Sequence, residues 1–446
     1  MIRLLRRSAN RSSIATDVAL TSSADIAIAG LGLVCGVFVA RMLGPKGRGE
    51  LAAIQTWPQV VATLSMLGVP EALTYYCAKQ QQRAKNYLAT AMALGTLGAG
   101  VGTVIAYCAM PWLLAAESGR IVSFARLYLI LAFIYAVPAM LGPALRGIGK
   151  FEIWNLLRIG PLFGWLGVLL IAWMSGNKTP EFLAAMNLVA LVVLFCPSIA
   201  IAYSRIPGHF KIGRSNSLDL LTYGLPCVMT GVPQMLNLRL DQMMMTVFVS
   251  PRQLGLYVVA VAWSGAVSPL VNGLSSVMLP AVASLNDREK AFQRLAMGVR
   301  IITILAVVAC GLLLVITPVA IIALFGSRYR ACIPAALILV PASGILAINL
   351  LLQEGVRGLG HPYTVLRAES YGLIMTVVLL LVLLRPLGMV GAAIASFIGY
   401  STVTISLLAS AKRITGVGIA SMLIPRFDEL KIIMLRGLAL VLELTG

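Results

Sequence analysis

Long apolar runs, separated by short clusters of charged, proline and glycine residues, dominate the pattern of this chain. Most of the runs reach the length of about 20 residues that an α-helix needs to cross the hydrocarbon core of a bilayer. The pattern therefore predicts twelve membrane-spanning helices, with both chain ends on the same side. The predicted spans lie near residues 19–42, 52–76, 87–114, 121–145, 153–173, 182–203, 221–249, 256–285, 301–325, 333–352, 370–384 and 389–410.

Composition agrees with this pattern and excludes several classes of protein. Of the 446 residues, 59% are hydrophobic and only 11% are charged, whereas soluble proteins carry about 25% charged residues. A soluble enzyme, a disordered chain and a nucleic-acid-binding domain are therefore excluded, and the net charge of +19 does not indicate a nucleic-acid partner. The segments between the spans are short, so we expect no catalytic domain outside the membrane.

The distribution of basic residues predicts the orientation. When the N-terminus is placed in the cytoplasm, 24 of the 35 lysines and arginines fall on the cytoplasmic side and 11 on the other. Bacterial cytoplasmic-membrane proteins show this bias. We therefore expect a multi-pass protein of the bacterial cytoplasmic (inner) membrane with both termini inside. The short apolar stretch 432–444 is interrupted by charges and predicts a helix that lies at the inner membrane surface.

Enzymatic and metal chemistry find little support in the sequence. The seven cysteines lie mostly inside apolar runs without a CxxC pair, and the two histidines, His209 and His361, lie in separate loops. There is no HExxH motif and no P-loop. The sequence therefore predicts no catalytic residue, no metal site and no cofactor, apart from H⁺ or Na⁺ as a coupling ion.

An internal repeat divides the chain into halves. Segment 45–57 matches segment 251–263 at a shift of 206 residues, because a proline, a glycine and a tryptophan recur at the same spacing. Segment 146–149 matches segment 357–360 at a shift of 211 residues. Six plus six helices in the same orientation predict an all-α membrane protein with two pseudo-symmetric six-helix lobes around a central cleft. The predicted divisions are a basic N-terminus (1–18), two lobes (19–214 and 215–411) and a cytoplasmic tail (412–446).

Two segments carry a resemblance to a known family. The segment from Ala40 to Gly49 resembles the AR-x-LGP-x-G-x-G motif of the polysaccharide transporter family, within the multidrug/oligosaccharidyl-lipid/polysaccharide exporter superfamily. Leu240-Asp241, followed by the segment 250–260, resembles the family's LD…SP-x-x-LGLY-x-x-A segment, and Leu279-Pro280 fits the end of its eighth helix. The resemblance extends over residues of about 20–412.

This resemblance implies a flippase of the cytoplasmic membrane. The expected cargo is an undecaprenyl-pyrophosphate-linked oligosaccharide for a surface polysaccharide such as lipopolysaccharide, moved by alternating access of the two lobes. Membrane lipids and polysaccharide polymerase or assembly proteins are the expected partners. Three alternatives stay open: a cation-coupled multidrug antiporter of the same superfamily, a membrane glycosyltransferase or ligase, and a scaffold that transports nothing.

Ionisable residues inside the predicted spans are the candidate site residues, because a charge in the membrane is costly and normally faces protein or water. Guanidinium groups suit phosphate oxygens, so arginines predict a cationic cleft for the pyrophosphate. The substrate-binding candidates are Arg126, Arg158, Arg239, Asp241 and Arg367. For the three arginines Arg126, Arg158 and Arg367, the alternative role is to anchor the protein at the membrane interface. For Arg239 and Asp241, the alternative is a structural ion pair between the lobes.

Two acidic residues are candidates for ion coupling. Asp25 lies in the first predicted span, and Glu71 follows a proline in the second. A buried carboxylate can exchange a proton or bind Na⁺, although a hydrogen-bonded structural aspartate is an equal alternative at Asp25. Pro226 and Pro233 in the seventh span predict a kink there, because proline frees backbone carbonyls.

Overall fold

The computed structural model describes residues 2–267, 278, 282, 287–416 and 418–423. In these parts the chain is helical and contains no strand, as predicted. The predicted surface helix at 432–444 and the Leu279-Pro280 pair lie outside the described residues. The helices are α1 (Ile2–Leu64), α2 (Val69–Lys79), α3 (Ala84–Leu113), α4 (Gly119–Tyr128), α5 (Leu131–Ala136), α6 (Pro138–Gly147), α7 (Phe151–Ser175), α8 (Pro180–Arg205), α9 (Arg214–Asn237), α10 (Leu240–Phe248), α11 (Pro251–Ser264), α12 (Arg288–Phe325), α13 (Ile333–Gly358), α14 (Pro362–Thr415) and α15 (Ile419–Leu423).

Eight helical segments in the described residues are long and apolar enough to cross a membrane. Two of them, Ser23–Leu64 with 42 residues and Pro362–Ile414 with 53 residues, are about twice the length that one crossing requires. Each contains one glycine with non-helical backbone angles, Gly44 (φ 66°) in α1 and Gly388 (φ 54°) in α14. These are the positions where the sequence predicts a loop between two spans. The protein is an all-α membrane protein with about twelve transmembrane helices.

The outward-facing surface of the helices is apolar, as contact with lipid requires. Leu97 of α3 and Val315 of α12 are 70% and 79% exposed, and Trp173 of α7 and Leu381 of α14 are also exposed. A soluble protein rarely exposes apolar patches of this extent. These faces therefore define the sides of the molecule that lie in the bilayer.

Two repeat motifs meet where the first bundle, α1 to α8, joins the second bundle, α9 to α14. A Cβ atom added to Gly49 of α1 would lie 1.7 Å from the carbonyl oxygen of Pro251, and one added to Gly255 of α11 would lie 1.9 Å from the carbonyl oxygen of Pro45. The contact is reciprocal, which is what a two-fold relation between the halves requires. We call this end of the molecule the glycine end.

Further contacts at the glycine end join each bundle to the last turn of a helix in the other. Arg41 donates from Nε to the carbonyl oxygen of Leu324 (2.6 Å) and from Nη2 to that of Ala323 (2.5 Å), at the end of α12. The hydroxyl of Thr246 in α10 lies 2.9 Å from the carbonyl oxygen of Leu113, at the end of α3. The last carbonyls of a helix have no partner within the helix, so both contacts satisfy them from the opposite bundle.

A cluster of tyrosines joins the bundles at the opposite end. The ring of Tyr75 in α2 stacks on that of Tyr223 in α9, with 4.6 Å between centroids, and Tyr76 stacks on Tyr87 of α3 at 5.0 Å. The Tyr87 hydroxyl donates to Asp219 of α9 (2.9 Å). We call this the tyrosine end; it is the end that the basic residues predict to be cytoplasmic.

Candidate functional site: the central cleft

Two adjoining cavities lie between the bundles. The first has a volume of about 440 Å³, and the second, of about 410 Å³, shares with it Ala62, Thr63, Tyr135 and Met235. We call the two together the central cleft. Its lining comes from α1, α2 and α4 to α8 of the first bundle and, in the second, from α9 and from Arg239, which lies just after it. The cleft lies between the glycine end and the tyrosine end, as the predicted two-lobe arrangement requires.

The lining of the first cavity is largely neutral and able to form hydrogen bonds. Its polar side chains are Thr56, Gln59, Thr63, Tyr128, Tyr135, Asn187 and Arg239. Within the described part of the chain, Arg239 is the one charged residue in this lining. Hydroxyl and amide groups of this kind can bind neutral sugar hydroxyls, and a guanidinium can bind phosphate oxygens.

Arg239 reaches the cleft because the seventh predicted span is broken beside it. Helix α9 ends at Asn237, and Arg239 leaves the helical region, with φ −127°, before α10 begins at Leu240. The side chain of Arg239 is exposed and makes no hydrogen bond or ion pair with the described residues. Pro226 and Pro233 lie inside a continuous α9, so the predicted kink occurs after the prolines rather than at them.

A buried network holds the end of α9 in place. Asn237 donates to Glu369 (3.2 Å) and accepts from Thr376 (3.0 Å), both of which lie on α14. Gln353 of α13 donates to the other carboxyl oxygen of Glu369 (2.5 Å). These side chains explain the position of the break, because they fix the last residue of α9 to two other helices. The sequence does not reveal this network, since its members are widely separated along the chain.

Asp241, the other candidate on the seventh span, lies inside the second bundle. It is 3% exposed and accepts hydrogen bonds from the Tyr257 hydroxyl (2.5 Å), the Ser396 hydroxyl (3.2 Å) and the backbone N–H of Gln242 (2.6 Å). It is not part of the cleft lining. The structure thus separates Arg239 from Asp241, in agreement with their two-residue spacing on the chain, which points them to different sides.

Arg158 and Asp25, predicted for two different roles, form one ion pair. The guanidinium of Arg158 in α7 donates to the carboxylate of Asp25 in α1 and to Asn155 (3.3 Å). It also lies over the ring of Trp154, 4.7 Å from the centroid. The pair joins two helices of the first bundle, and neither residue is part of the cleft lining. Its side chains are 32% and 22% exposed.

We expect loss of one partner of this pair to be worse than loss of both. Arg158→Gln leaves the Asp25 carboxylate without its cation, so we expect a loss of about 1–3 kcal/mol in stability. In the double variant Asp25→Asn, Arg158→Gln the uncompensated charge is absent, and most of that loss should be recovered. Thermal unfolding of the purified protein in detergent measures both. Equal unfolding midpoints for the single and the double variant would contradict the prediction.

The other two arginines lie away from the cleft. Arg126 of α4 donates to the backbone carbonyl oxygen of Tyr107 (3.1 Å), and its guanidinium lies 4.8 Å from the centroid of the Tyr107 ring. Tyr107 is exposed on the outward side of α3. Arg367 is exposed near the start of α14. Both placements match the interface-anchoring alternative more closely than the cleft. Glu71, by contrast, lines the second cavity.

An acidic residue with a buried carboxyl group, Glu117, lies near the glycine end, in the segment between α3 and α4. Both carboxyl oxygens of Glu117 are buried without a hydrogen-bond partner. Burial, and next to it the charge of Glu50, raises the pKa of Glu117 to about 7, against a smaller lowering by Lys46. The ordinary pKa of this group is 4.5, so the folded protein binds the proton more tightly than the unfolded chain.

Stability should therefore fall as the pH rises. The contribution of protonated Glu117 is present below pH 4.5 and is lost progressively up to about pH 7. We expect a higher unfolding midpoint at pH 5.5 than at pH 8, and a smaller difference in Glu117→Gln. The matched control is Glu152→Gln, which changes an exposed glutamate at the tyrosine end. If Glu117→Gln and the control behave alike, the buried carboxyl is not the source of the pH dependence.

Comparisons with known proteins agree with this architecture. The family model for polysaccharide biosynthesis protein matches residues 14–286. A search of curated proteins finds no significant match.

The fold is similar to solved structures of membrane transporters. One is an inward-facing multidrug resistance MATE family transporter of the MOP superfamily (TM-score 0.70, 17% identity, 89% of this chain and 98% of that chain). Another is the lipid II flippase MurJ in an inward closed conformation (TM-score 0.73, 16% identity, 89% of this chain and 87% of that chain). A third is a MOP superfamily transporter from Pyrococcus furiosus (TM-score 0.64, 15% identity, 91% of this chain and 96% of that chain). At these identities the similarity shows the fold. The family match covers more than half of the chain and shows that the chain belongs to the polysaccharide biosynthesis protein family.

Proposed function

We propose that the protein flips an undecaprenyl-pyrophosphate-linked oligosaccharide across the bacterial cytoplasmic membrane for surface polysaccharide assembly. The observation that carries the proposal is the central cleft, in which the guanidinium of Arg239, without a hydrogen-bond or ion-pair partner among the described residues, lies beside neutral hydrogen-bonding side chains. The guanidinium would bind the pyrophosphate, and the hydroxyl and amide groups would bind the sugars. The prenyl chain would stay in the lipid, because moving an apolar chain through a polar cleft gains nothing.

The arrangement of contacts between the bundles supports a mechanism of alternating access. The bundles touch at the glycine end through Gly49 and Gly255 and at the tyrosine end through Tyr75 and Tyr223. Rocking of one bundle against the other would open one end while the other stays closed. The cleft between them would then face each side of the membrane in turn, with both termini in the cytoplasm.

Coupling to H⁺ or Na⁺ is part of the proposal. Glu71 lines the second cavity, where a cation that enters the cleft could reach it. Asp25, the other candidate, is already paired with Arg158, so it could bind a cation only after leaving that pair.

Reconstituted liposomes provide the test. Purified protein is incorporated with a fluorescent undecaprenyl-pyrophosphate-linked oligosaccharide, and the fraction protected from a membrane-impermeant quencher is followed over time. We expect Arg239→Ala to lower the rate about tenfold or more, because a charge-assisted hydrogen bond to phosphate is lost. Arg239→Lys should retain part of the rate, since it keeps the charge but not the planar fork.

The matched control is Arg252→Ala, which removes an exposed arginine at the glycine end and should leave the rate unchanged. A normal rate in Arg239→Ala would exclude the cationic cleft. If the wild-type protein moves no lipid-linked sugar but exports cationic dyes from cells, it is a multidrug antiporter. Sugar transfer by the purified protein in detergent would instead identify a membrane glycosyltransferase or ligase.

A further inference from the structure

An apolar groove of about 900 Å³ runs along the outward face of α3. Its floor comes from α3 and from Val137, and one wall comes from Phe210 and Ile212. The central cleft, by contrast, is lined by other helices. The groove opens toward the lipid, because Val101 and Val104, which line it, are exposed on the same face of α3.

The wall is a short connection that is fixed to α3 at both ends; we call residues 207–213, between α8 and α9, the strap. The carbonyl oxygen of Pro207 accepts from the backbone N–H of Lys85 (3.0 Å), and the backbone N–H of Gly213 donates to Thr90 (3.4 Å). A Cβ atom added to Gly208 (φ 107°) would lie 2.6 Å from the carbonyl oxygen of Gln82. The strap therefore has a defined position beside the groove.

The strap and its flanks combine apolar and basic side chains in alternation. The basic residues of segment 205–214 are Arg205, His209, Lys211 and Arg214. All four are exposed, none makes a hydrogen bond or ion pair with the described residues, and the segment contains no acidic residue. Phe210 and Ile212 line the groove, and His209 and Lys211, which alternate with them along the strap, are exposed.

We propose that this groove and the basic strap form a binding site for an anionic phospholipid that stays bound while the cargo moves through the cleft. An acyl chain would lie along α3, and the phosphate would lie between Lys211 and Arg205. Basic residues close to a membrane surface attract anionic lipid, and the groove gives this attraction a defined place. The carrier lipid of the cargo is the less suitable occupant, because the groove shares no lining residue with the cleft that would hold its headgroup.

Lipid binding to the purified full-length protein tests the proposal. Native mass spectrometry with dioleoyl-phosphatidylglycerol and dioleoyl-phosphatidylcholine measures the preference of the wild-type protein for the anionic headgroup. Each basic side chain near the surface is worth about fivefold in affinity. We therefore expect Arg205→Gln with Lys211→Gln to remove most of the preference for phosphatidylglycerol. Thr96→Trp fills the groove and should weaken both lipids severalfold without changing the charge.

Matched changes on other faces serve as controls. Lys412→Gln removes an exposed charge at the same end of the molecule, and Leu312→Trp enlarges an exposed side chain of α12. Neither should alter the headgroup preference or the affinity. Equal binding of the two lipids by the wild-type protein, or equal effects of the controls and the groove variants, would overturn the site. Displacement of phosphatidylglycerol by stoichiometric undecaprenyl phosphate would assign the groove to the carrier lipid and would also overturn the proposal.

Discussion

Gly49→Ala is expected to lower the stability of the protein by about 1–3 kcal/mol, the usual cost of forcing extra volume into a packed contact. The new methyl group would lie 1.7 Å from the carbonyl oxygen of Pro251. The obstacle is backbone, which cannot turn away as a flexible side chain can, so the two bundles must separate at the glycine end. Gly255→Ala should have a similar effect, because its methyl group would lie 1.9 Å from the carbonyl oxygen of Pro45.

The unfolding midpoint of the purified protein in detergent measures this effect. Gly32→Ala is the matched control, since it lies in the part of α1 before the break at Gly44 and has no neighbouring atom within 4 Å of the added carbon. It should be neutral or slightly stabilising, because alanine favours a helix over glycine. The double variant of Gly49 and Gly255 should lose less than the sum of the two single losses, since both changes open one interface. If Gly49→Ala and Gly32→Ala have equal unfolding midpoints, the close contact between Gly49 and Pro251 is absent from the purified protein.

Asp241→Ala is expected to destabilise the second bundle by about 3–5 kcal/mol. The carboxylate accepts three hydrogen bonds, and without it the hydroxyl groups of Tyr257 and Ser396 lose their buried partner. Removal of one partner from a buried polar cluster leaves the others unsatisfied, which is the costly case. Asp241→Asn keeps the shape and one acceptor oxygen, so it should retain much more stability than the alanine variant.

Transport by Asp241→Asn separates two roles for this residue. A residue that only holds α10 against α11 and α14 should allow normal lipid flipping in the liposome experiment once the protein is folded. If Asp241 binds cargo or a coupling ion, Asp241→Asn should lose transport although its unfolding midpoint stays near that of the wild-type protein. We expect the first result, because Asp241 lies outside the cleft lining. Unfolding of the alanine variant at the wild-type temperature would contradict the structural role itself.

Much of the fold could be predicted from the sequence, because membrane-spanning helices leave a strong apolar signal. The repeat at 45–57 and 251–263 also predicts a two-fold relation, and Gly49 and Gly255 contact the opposite bundle reciprocally. The sharp turns at Gly44 and Gly388 were predicted as loops, because the sequence does not show that one glycine is enough to separate two helices. The boundary of α9 could not be predicted from prolines, since tertiary hydrogen bonds to Asn237 set it.

The candidate site was only partly predictable. Spacing along the chain identified Arg239 as an intramembrane cation, and the structure places it in the cleft. Arg158 and Asp25 are 133 positions apart in the chain, so no local sequence pattern predicts that they form an ion pair. The neutral side chains of the cleft gave no signal, because a threonine or glutamine in an apolar run is equally suited to hydrogen-bond its own helix. The direction of each arginine depends on how the helices pack.

The contacts that join the bundles form two separate sets, one at each end of the central cleft. The relative populations of the states open at one end and at the other therefore depend on the difference in free energy between the two sets of contacts. Loosening the ring stack of Tyr75 and Tyr223 should then shift the population toward molecules open at that end, whereas loosening the contact of Gly49 should shift it the opposite way. Distances between spin labels attached at the two ends would follow these shifts, and the sign of the change would reveal which face of the membrane each variant favours.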